Sequence, residues 1–136
     1  MPVESGSTNN VRGGVITATI LVVDDEEPLR EVLTMVIEDL GHRALQAING
    51  RQALDVVHTE RPDLIISDVM MPVMTGVELC QQLREETRQT GATHVPVILM
   101  SSAGAQAAAG AEPDAFIAKP FDLDNVVRHV LLYLSA

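Results

Sequence analysis

Cysteine, lysine and aromatic residues are nearly missing from this chain. Among its 136 residues there is one cysteine, Cys80, one lysine, Lys119, and a ring complement of two Phe, one Tyr and no Trp. A single cysteine excludes an internal disulfide and any cysteine-based metal centre, and it agrees with a reducing compartment. The scarcity of rings leaves the core to aliphatic side chains. Basic residues are also few, 9 against 19 acidic, for a formal net charge of −10. That balance argues against direct binding to nucleic acid or to an anionic membrane, since neutralising phosphates takes clustered Lys and Arg. No apolar run approaches the roughly 20 residues that span a bilayer, and the N-terminus lacks the basic start and apolar stretch of a secretory signal. The expected location is cytoplasmic.

What is present suits one globular domain. With 46% hydrophobic and 21% charged residues, the composition is neither disordered nor fibrous, and the length is enough to bury a core without covalent staples. Residues 1–17 are rich in Ser, Gly and Asn with no hydrophobic period and read as a disordered tail; residues 18–136 read as the domain. Short apolar runs at Thr19 to Val23, Ala44 to Ile48, Leu64 to Ile66, Val95 to Met100 and Ala115 to Ala118 are the strand candidates. Most lack polar alternation, which predicts strands buried on both faces, as in a parallel sheet. Between them, Leu29, Val32, Leu33, Val36, Ile37 and Leu40 form one helical stripe, and Leu123, Val126, Val127, Val130, Leu131 and Leu134 form another. Two further helices are predicted at Gly50 to Thr59 and Gly76 to Glu86. The connection Ala103 to Pro113, rich in Ala and Gly, predicts at most a short, weak helix. Strands alternating with helices imply an α/β fold with a parallel sheet covered on both faces.

Polar residues sit at the ends of these strands. Asp24 and Asp25 follow the first in ILVVDDEEP, Asp68 the third in DLIISDVMMP, Ser101 the fourth in PVILMSS and Lys119 the fifth in AFIAKPF. In an open α/β sheet ligands bind at the carboxyl ends of the strands, so all of these point to one crevice. Three carboxylates meeting there resist ionising together unless a cation or a lysine offsets them. All-oxygen ligation suits a hard ion such as Mg²⁺. A carboxylate, a divalent ion, a lysine and a hydroxyl together suit phosphoryl transfer, with one Asp as nucleophile. Singly, each residue has a plainer role: a strand-end Asp as helix cap, a Lys before Pro as solvated surface, a methionine-rich loop as core filler. Their coincidence at four strand ends is what indicates chemistry.

These blocks, together with AINGRQAL and the loop PDLIISDVMMPVMTG, resemble the receiver (response-regulator) domain of two-component signalling over about Thr19 to Leu134. The resemblance implies a flavodoxin-like three-layer fold, a five-stranded parallel sheet of order 2-1-3-4-5 with five helices around it. It implies that Asp68 is the phosphoacceptor, taking a phosphoryl group from a phosphohistidine on a sensor histidine kinase or a histidine phosphotransfer protein. Asp25 and Asp68 would ligate Mg²⁺ through their carboxylates, Asp24 largely through water, and Met70 through its backbone carbonyl. Lys119 would pair with phosphoryl oxygens, and the bond between Lys119 and Pro120 would be cis. Ser101 and Phe116 would form the switch, the hydroxyl bonding the aspartyl phosphate while the ring turns inward. Phe116 lacks the hydroxyl of the tyrosine often found there.

Two positions depart from the family pattern. Thr75 stands where an acid is common before the loop glycine. The interval from Ser101 to Lys119 is about one helical turn short, so the fourth helix is expected to be short, displaced or partly unfolded, with raised mobility around Gly104 to Glu112. The last helix closes the chain with no output domain after it, so protein binding or phosphoryl relay is the expected output. The competing readings are a Mg²⁺-dependent phosphatase working through an aspartyl phosphate and a receiver-shaped scaffold that is never phosphorylated; the phosphatase would turn over, the receiver would not. His42, His58, His94 and His129 are scattered and read as surface residues, Cys80 as core. Asp24, Asp25, Asp68 and Lys119 account for only −2 of the −10 charge. Most of the rest lies on solvated helix faces, where it favours solubility and a basic partner surface.

Overall fold

The computed structural model describes residues 10–12 and 15–134. Strands β1 (Asn10–Arg12) and β2 (Val15–Thr17) pair antiparallel beside the main domain. They fall within the stretch read as a tail, the rest of which lies outside the described residues. The domain then runs β3 (Thr19–Val23), α1 (Glu27–Asp39), β4 (Arg43–Ala47), α2 (Gly50–Glu60), β5 (Leu64–Asp68), α3 (Gly76–Thr90), β6 (Val97–Ser101), a 3-10 turn (Ala105–Ala108), β7 (Ala115–Ala118) and α4 (Leu123–Leu134). The five strands β3 to β7 form one parallel sheet in the order β4-β3-β5-β6-β7. Counted among themselves these strands have the order 2-1-3-4-5, the flavodoxin-like arrangement.

Every residue of β3, β5 and β6 is buried, which is why these runs show no polar alternation. Successive side chains still go to opposite faces. Ile20, Val22, Leu64, Ile66, Ile98 and Met100 pack under α1 and α4, whereas Leu21, Val23, Ile65, Val97 and Leu99 pack under α2 and α3. The stripe on α1 is narrower than its sequence pattern: Leu33 and Ile37 are buried, but Val32, about 100° around the helix from Leu33, is exposed. On α4 the same holds, with Val126 and Val130 buried and Leu123 and Leu131 exposed.

Helix starts follow local chemistry. The Asn49 side chain accepts from the Gln52 N–H at 2.8 Å and caps α2. Thr75 and Glu78 form a reciprocal capping box at the start of α3. Thr75 thus serves the position where the family commonly has an acid, and α3 runs on a turn past its expected end at Glu86, to Gly91 at φ +75°.

The family resemblance implied five helices; the described residues contain four, and the place of the fourth is taken by the 3-10 turn. The reason is local. Alanines bury little area, and Gly104, Gly110 and Glu112 all take positive φ, which interrupts any continuous helix. Side chains of α3 hold this connection instead. Cys80 Sγ donates to the Ala111 carbonyl, Gln81 Nε2 to Gly110 and Arg84 Nε to Glu112, at 3.0–3.1 Å.

Candidate functional site

Strand register brings the polar ends together. Val23 lies beside both Ala47 and Ser67, Asp68 lies opposite Met100, and Ser101 lies opposite Ala118. Asp24, Asp68, Ser101 and Lys119 therefore emerge at one edge, where β3 and β5 diverge to helices on opposite faces.

Asp68 and Asp24 are buried, Asp25 is exposed, and one carboxylate oxygen from each lies within 4.8 Å of the others. Lys119 Nζ reaches into this group, 3.0 Å from Asp68 Oδ1 and 3.4 Å from Asp24 Oδ2, with Glu26 at 4.0 Å. Burial raises the Asp68 pKa above the ordinary carboxylate value; the Lys119 hydrogen bond lowers it less than burial and the charge of Asp24 raise it. Burial alone would lower the Lys119 pKa, but its pairing with Asp68 and Asp24 outweighs this and the net shift is upward. The pocket thus holds one lysine against three acids. Hard oxygen donors in surplus negative charge fit a small divalent cation such as Mg²⁺.

The neighbouring groups are fixed in detail. Asp24 Oδ1 accepts from the Glu26 N–H at 2.9 Å, and its backbone carbonyl accepts from Arg30 Nη1 at 2.8 Å. Ser101 is buried, and its Oγ accepts from the Ala103 N–H at 2.9 Å. Lys119 N–H donates to the Ser101 carbonyl, and the Lys119–Pro120 peptide is cis. Met70 follows Asp68 by two residues with its side chain 66% exposed, so its backbone rather than its thioether is the part built into the loop. Phe116, half-buried on β7, packs on the face that carries Leu99 and the 3-10 turn.

Some residues of the site were not evident in the sequence. Arg30 had a signal, as the one cation in the acidic run from Asp24 to Glu31. Ser67, whose Oγ donates to the Asp68 carbonyl at 2.9 Å, had none. Gly76 sits so close to Asp68 that a Cβ there would overlap the Asp68 carbonyl oxygen. A glycine eight residues after the acid gains meaning only once the loop closes.

Comparison with known proteins agrees with this arrangement. The family model for the response regulator receiver domain matches residues 20–131. The chain is 36% identical over 120 residues to the phosphate regulon transcriptional regulatory protein of Pseudomonas aeruginosa, covering 85% of this chain and 51% of that protein. It is similar in structure to the signal receiver domain of a signal transduction histidine kinase from Syntrophus aciditrophicus, with TM-score 0.78 and 34% identity over 87% of this chain and 90% of that one. A chemotaxis response regulator of Vibrio cholerae gives TM-score 0.72 and 28% identity over 86% of this chain and 98% of that one. The chain spans about half the length of the curated relatives that it matches.

Proposed function

The chain belongs to the response regulator receiver domain family, and on that premise we propose that it is a phosphorylatable switch with Asp68 as phosphoacceptor. The observation that carries the reading is the buried Asp68 carboxylate held 3.0 Å from the only lysine, beside two further acids. Residues 18–136 form the receiver unit, preceded by an N-terminal segment that carries the β1–β2 pair. Its donor is the phosphohistidine of a sensor histidine kinase or of a histidine phosphotransfer protein.

A carboxylate oxygen of Asp68 attacks phosphorus, the donor P–N bond breaks, and its electron pair stays on the imidazole. The carboxylates of Asp25 and Asp68 and the Met70 carbonyl would hold Mg²⁺, with Asp24 acting largely through water, and the ion would supply charge neutralisation. Lys119 pairs with phosphoryl oxygens from the other side and relinquishes part of its contact with Asp68. Burial that raises the Asp68 pKa also keeps water from competing for the nucleophile. Ser101 Oγ then turns from the Ala103 N–H to donate to the phosphoryl group, and Phe116 follows inward. The altered surface binds a partner protein or passes the phosphoryl group on.

This is a signalling role without turnover, in the cytoplasm; no helix among the described residues is long and apolar enough to cross a membrane. The test is intact-mass measurement after incubation with Mg²⁺ and phosphoramidate. Wild type gains one adduct of about 80 Da, the mass of a phosphoryl group, and Asp68→Asn gains none. An equal adduct on the variant, or repeated release of phosphate from added esters, would overturn the reading.

A further inference from the structure

The loop from Val69 to Thr75 carries the Met70 carbonyl, and it is closed in an unusual way. Val69 N–H donates to the Met100 carbonyl and Gly76 N–H to the Val69 carbonyl, both at 2.9 Å, so the two loop ends are tied to each other and to β6. In between, Met74 N–H donates to Pro72 O at 2.7 Å around Val73, which takes φ +71° although β-branched and 80% exposed. A β-branched residue is strained in that region and stays there only if its surroundings dictate the turn.

The dictating contact comes from another element. Gly50, the first residue of α2, donates its N–H to the Met74 carbonyl at 2.9 Å. A Cβ at Gly50 would stand 2.6 Å from Met74 Cγ, 2.9 Å from that same carbonyl oxygen and 3.0 Å from Met74 Cβ. Met74 itself is packed on the core, and Asn49 fixes the start of α2 by capping it. Each partner is thus held by contacts of its own.

From this we propose that Gly50 is a positioning residue for the cation and phosphoryl site. It admits the N-terminus of α2 onto Met74, which holds the strained Val73 turn and thereby sets the Met70 carbonyl relative to Asp68. This rests on the proposed function, because it assigns the loop its ligand role. Gly50 touches none of the reacting groups; its effect passes through Met74.

The experiment is Mg²⁺ titration followed by calorimetry and by NMR, on wild type, Gly50→Ala and Gly41→Ala. Gly41 has φ +90° and open space where a Cβ would stand, with nothing within 4 Å, at the end of the sheet away from the site. Gly41→Ala is thus destabilised by backbone strain alone and should bind Mg²⁺ as wild type does. Gly50→Ala should bind roughly tenfold more weakly, the scale seen when a residue that orients a ligand is changed. Coupling is reciprocal, so Mg²⁺ should also slow hydrogen exchange at the wild-type Gly50 amide, a readout that needs no variant to fold. Unchanged affinity in Gly50→Ala, equal losses in both variants, or exchange at Gly50 indifferent to Mg²⁺ would overturn the proposal. Wild type that binds no Mg²⁺ would overturn the proposed function and this inference with it.

Discussion

Buried Arg84 on α3 and half-buried Asp114 at the entrance to β7 form an ion pair, Nη2 to Oδ1 at 2.6 Å, at the end of the sheet opposite the acidic pocket. The same guanidinium donates to the carbonyls of Val95 and Glu112 at 3.1 Å. Asp114 in turn accepts from the Val97 N–H at 2.9 Å, and its carbonyl accepts from the Tyr133 hydroxyl at 2.7 Å. One arginine thus joins α3, β6 and β7 where a packed fourth helix is missing.

Replacing Arg84 by Met should cost about 3 kcal/mol of stability, because it strands a largely buried carboxylate along with two carbonyls. Arg88→Met, which removes exposed pairs with Glu85 and Glu112, should cost at most about 1 kcal/mol. Urea unfolding of the two variants checks the contrast; equal losses would show that the Arg84 cluster contributes no more than a surface pair.

Asp114 also gives the fold a pH dependence. Burial pushes its pKa up, but the His94 hydrogen bond, the Val97 N–H and the Arg84 charge overcome this, and the net shift is below the ordinary carboxylate value. The groups facing its carboxyl are Arg84 from α3, His94 from the loop before β6 and the Val97 N–H of β6, while the Tyr133 hydroxyl from α4 holds its carbonyl. A folded pKa below the unfolded one contributes stability that is present above the unfolded value and lost as pH falls through the folded value. Wild-type urea midpoints should therefore fall more steeply below about pH 4 than those of Asp114→Asn. Parallel curves would remove Asp114 from the acid transition.

The sheet was legible because its strands are buried on both faces, so unbroken apolar runs such as Leu21 to Val23 and Val97 to Met100 marked them. The acidic pocket was legible because strand ends in a parallel sheet converge, and Asp24, Asp68, Ser101 and Lys119 each end a run. Arg84 was not, since a buried arginine has no periodic signature and its partner lies 30 residues on. Gly50 was read only as the start of a helix. Its need to be glycine comes from Met74, an approach between a helix start and a distant loop that no local pattern encodes. The helical stripes were overdrawn for a related reason: Val32 and Leu131 fit the period but lie past the width of the surface that their helices cover.

Among the described residues Lys119 is the only cation paired with the carboxylates of Asp68 and Asp24. Lys119→Met should therefore lower stability in chelator by about 2–3 kcal/mol, the scale for carboxylates left without a partner. Added Mg²⁺ stabilises the folded form by binding to it, and it should raise the thermal midpoint of the variant more than that of wild type, where the lysine already offsets part of the charge. Equal Mg²⁺ shifts in the two proteins would mean that lysine and cation do not share this task.

The Ser101 hydroxyl links the pocket to the short connection beyond it. Ser101 Oγ holds the Ala103 N–H, then Ala107, Ala109 and Ala111 make successive backbone bonds to Gly104, Gln106 and Ala108. The far end is held on α3 by Cys80, Gln81 and Arg84, through the carbonyls of Ala111, Gly110 and Glu112. Amide exchange should therefore be graded, fast at Gly104 to Gln106 and slower at Ala111 and Asp114, whose N–H donates to the Val97 carbonyl at 2.9 Å. On the proposed function, phosphorylation of Asp68 would draw Ser101 Oγ away and should speed exchange at Ala103 severalfold while leaving Ala111 unchanged. Ser101→Ala should show fast Ala103 exchange before any phosphoryl donor is added, and no further change afterwards. Uniformly slow exchange from Gly104 to Glu112, or an Ala103 rate that ignores both phosphorylation and the loss of the hydroxyl, would place the start of the switch elsewhere.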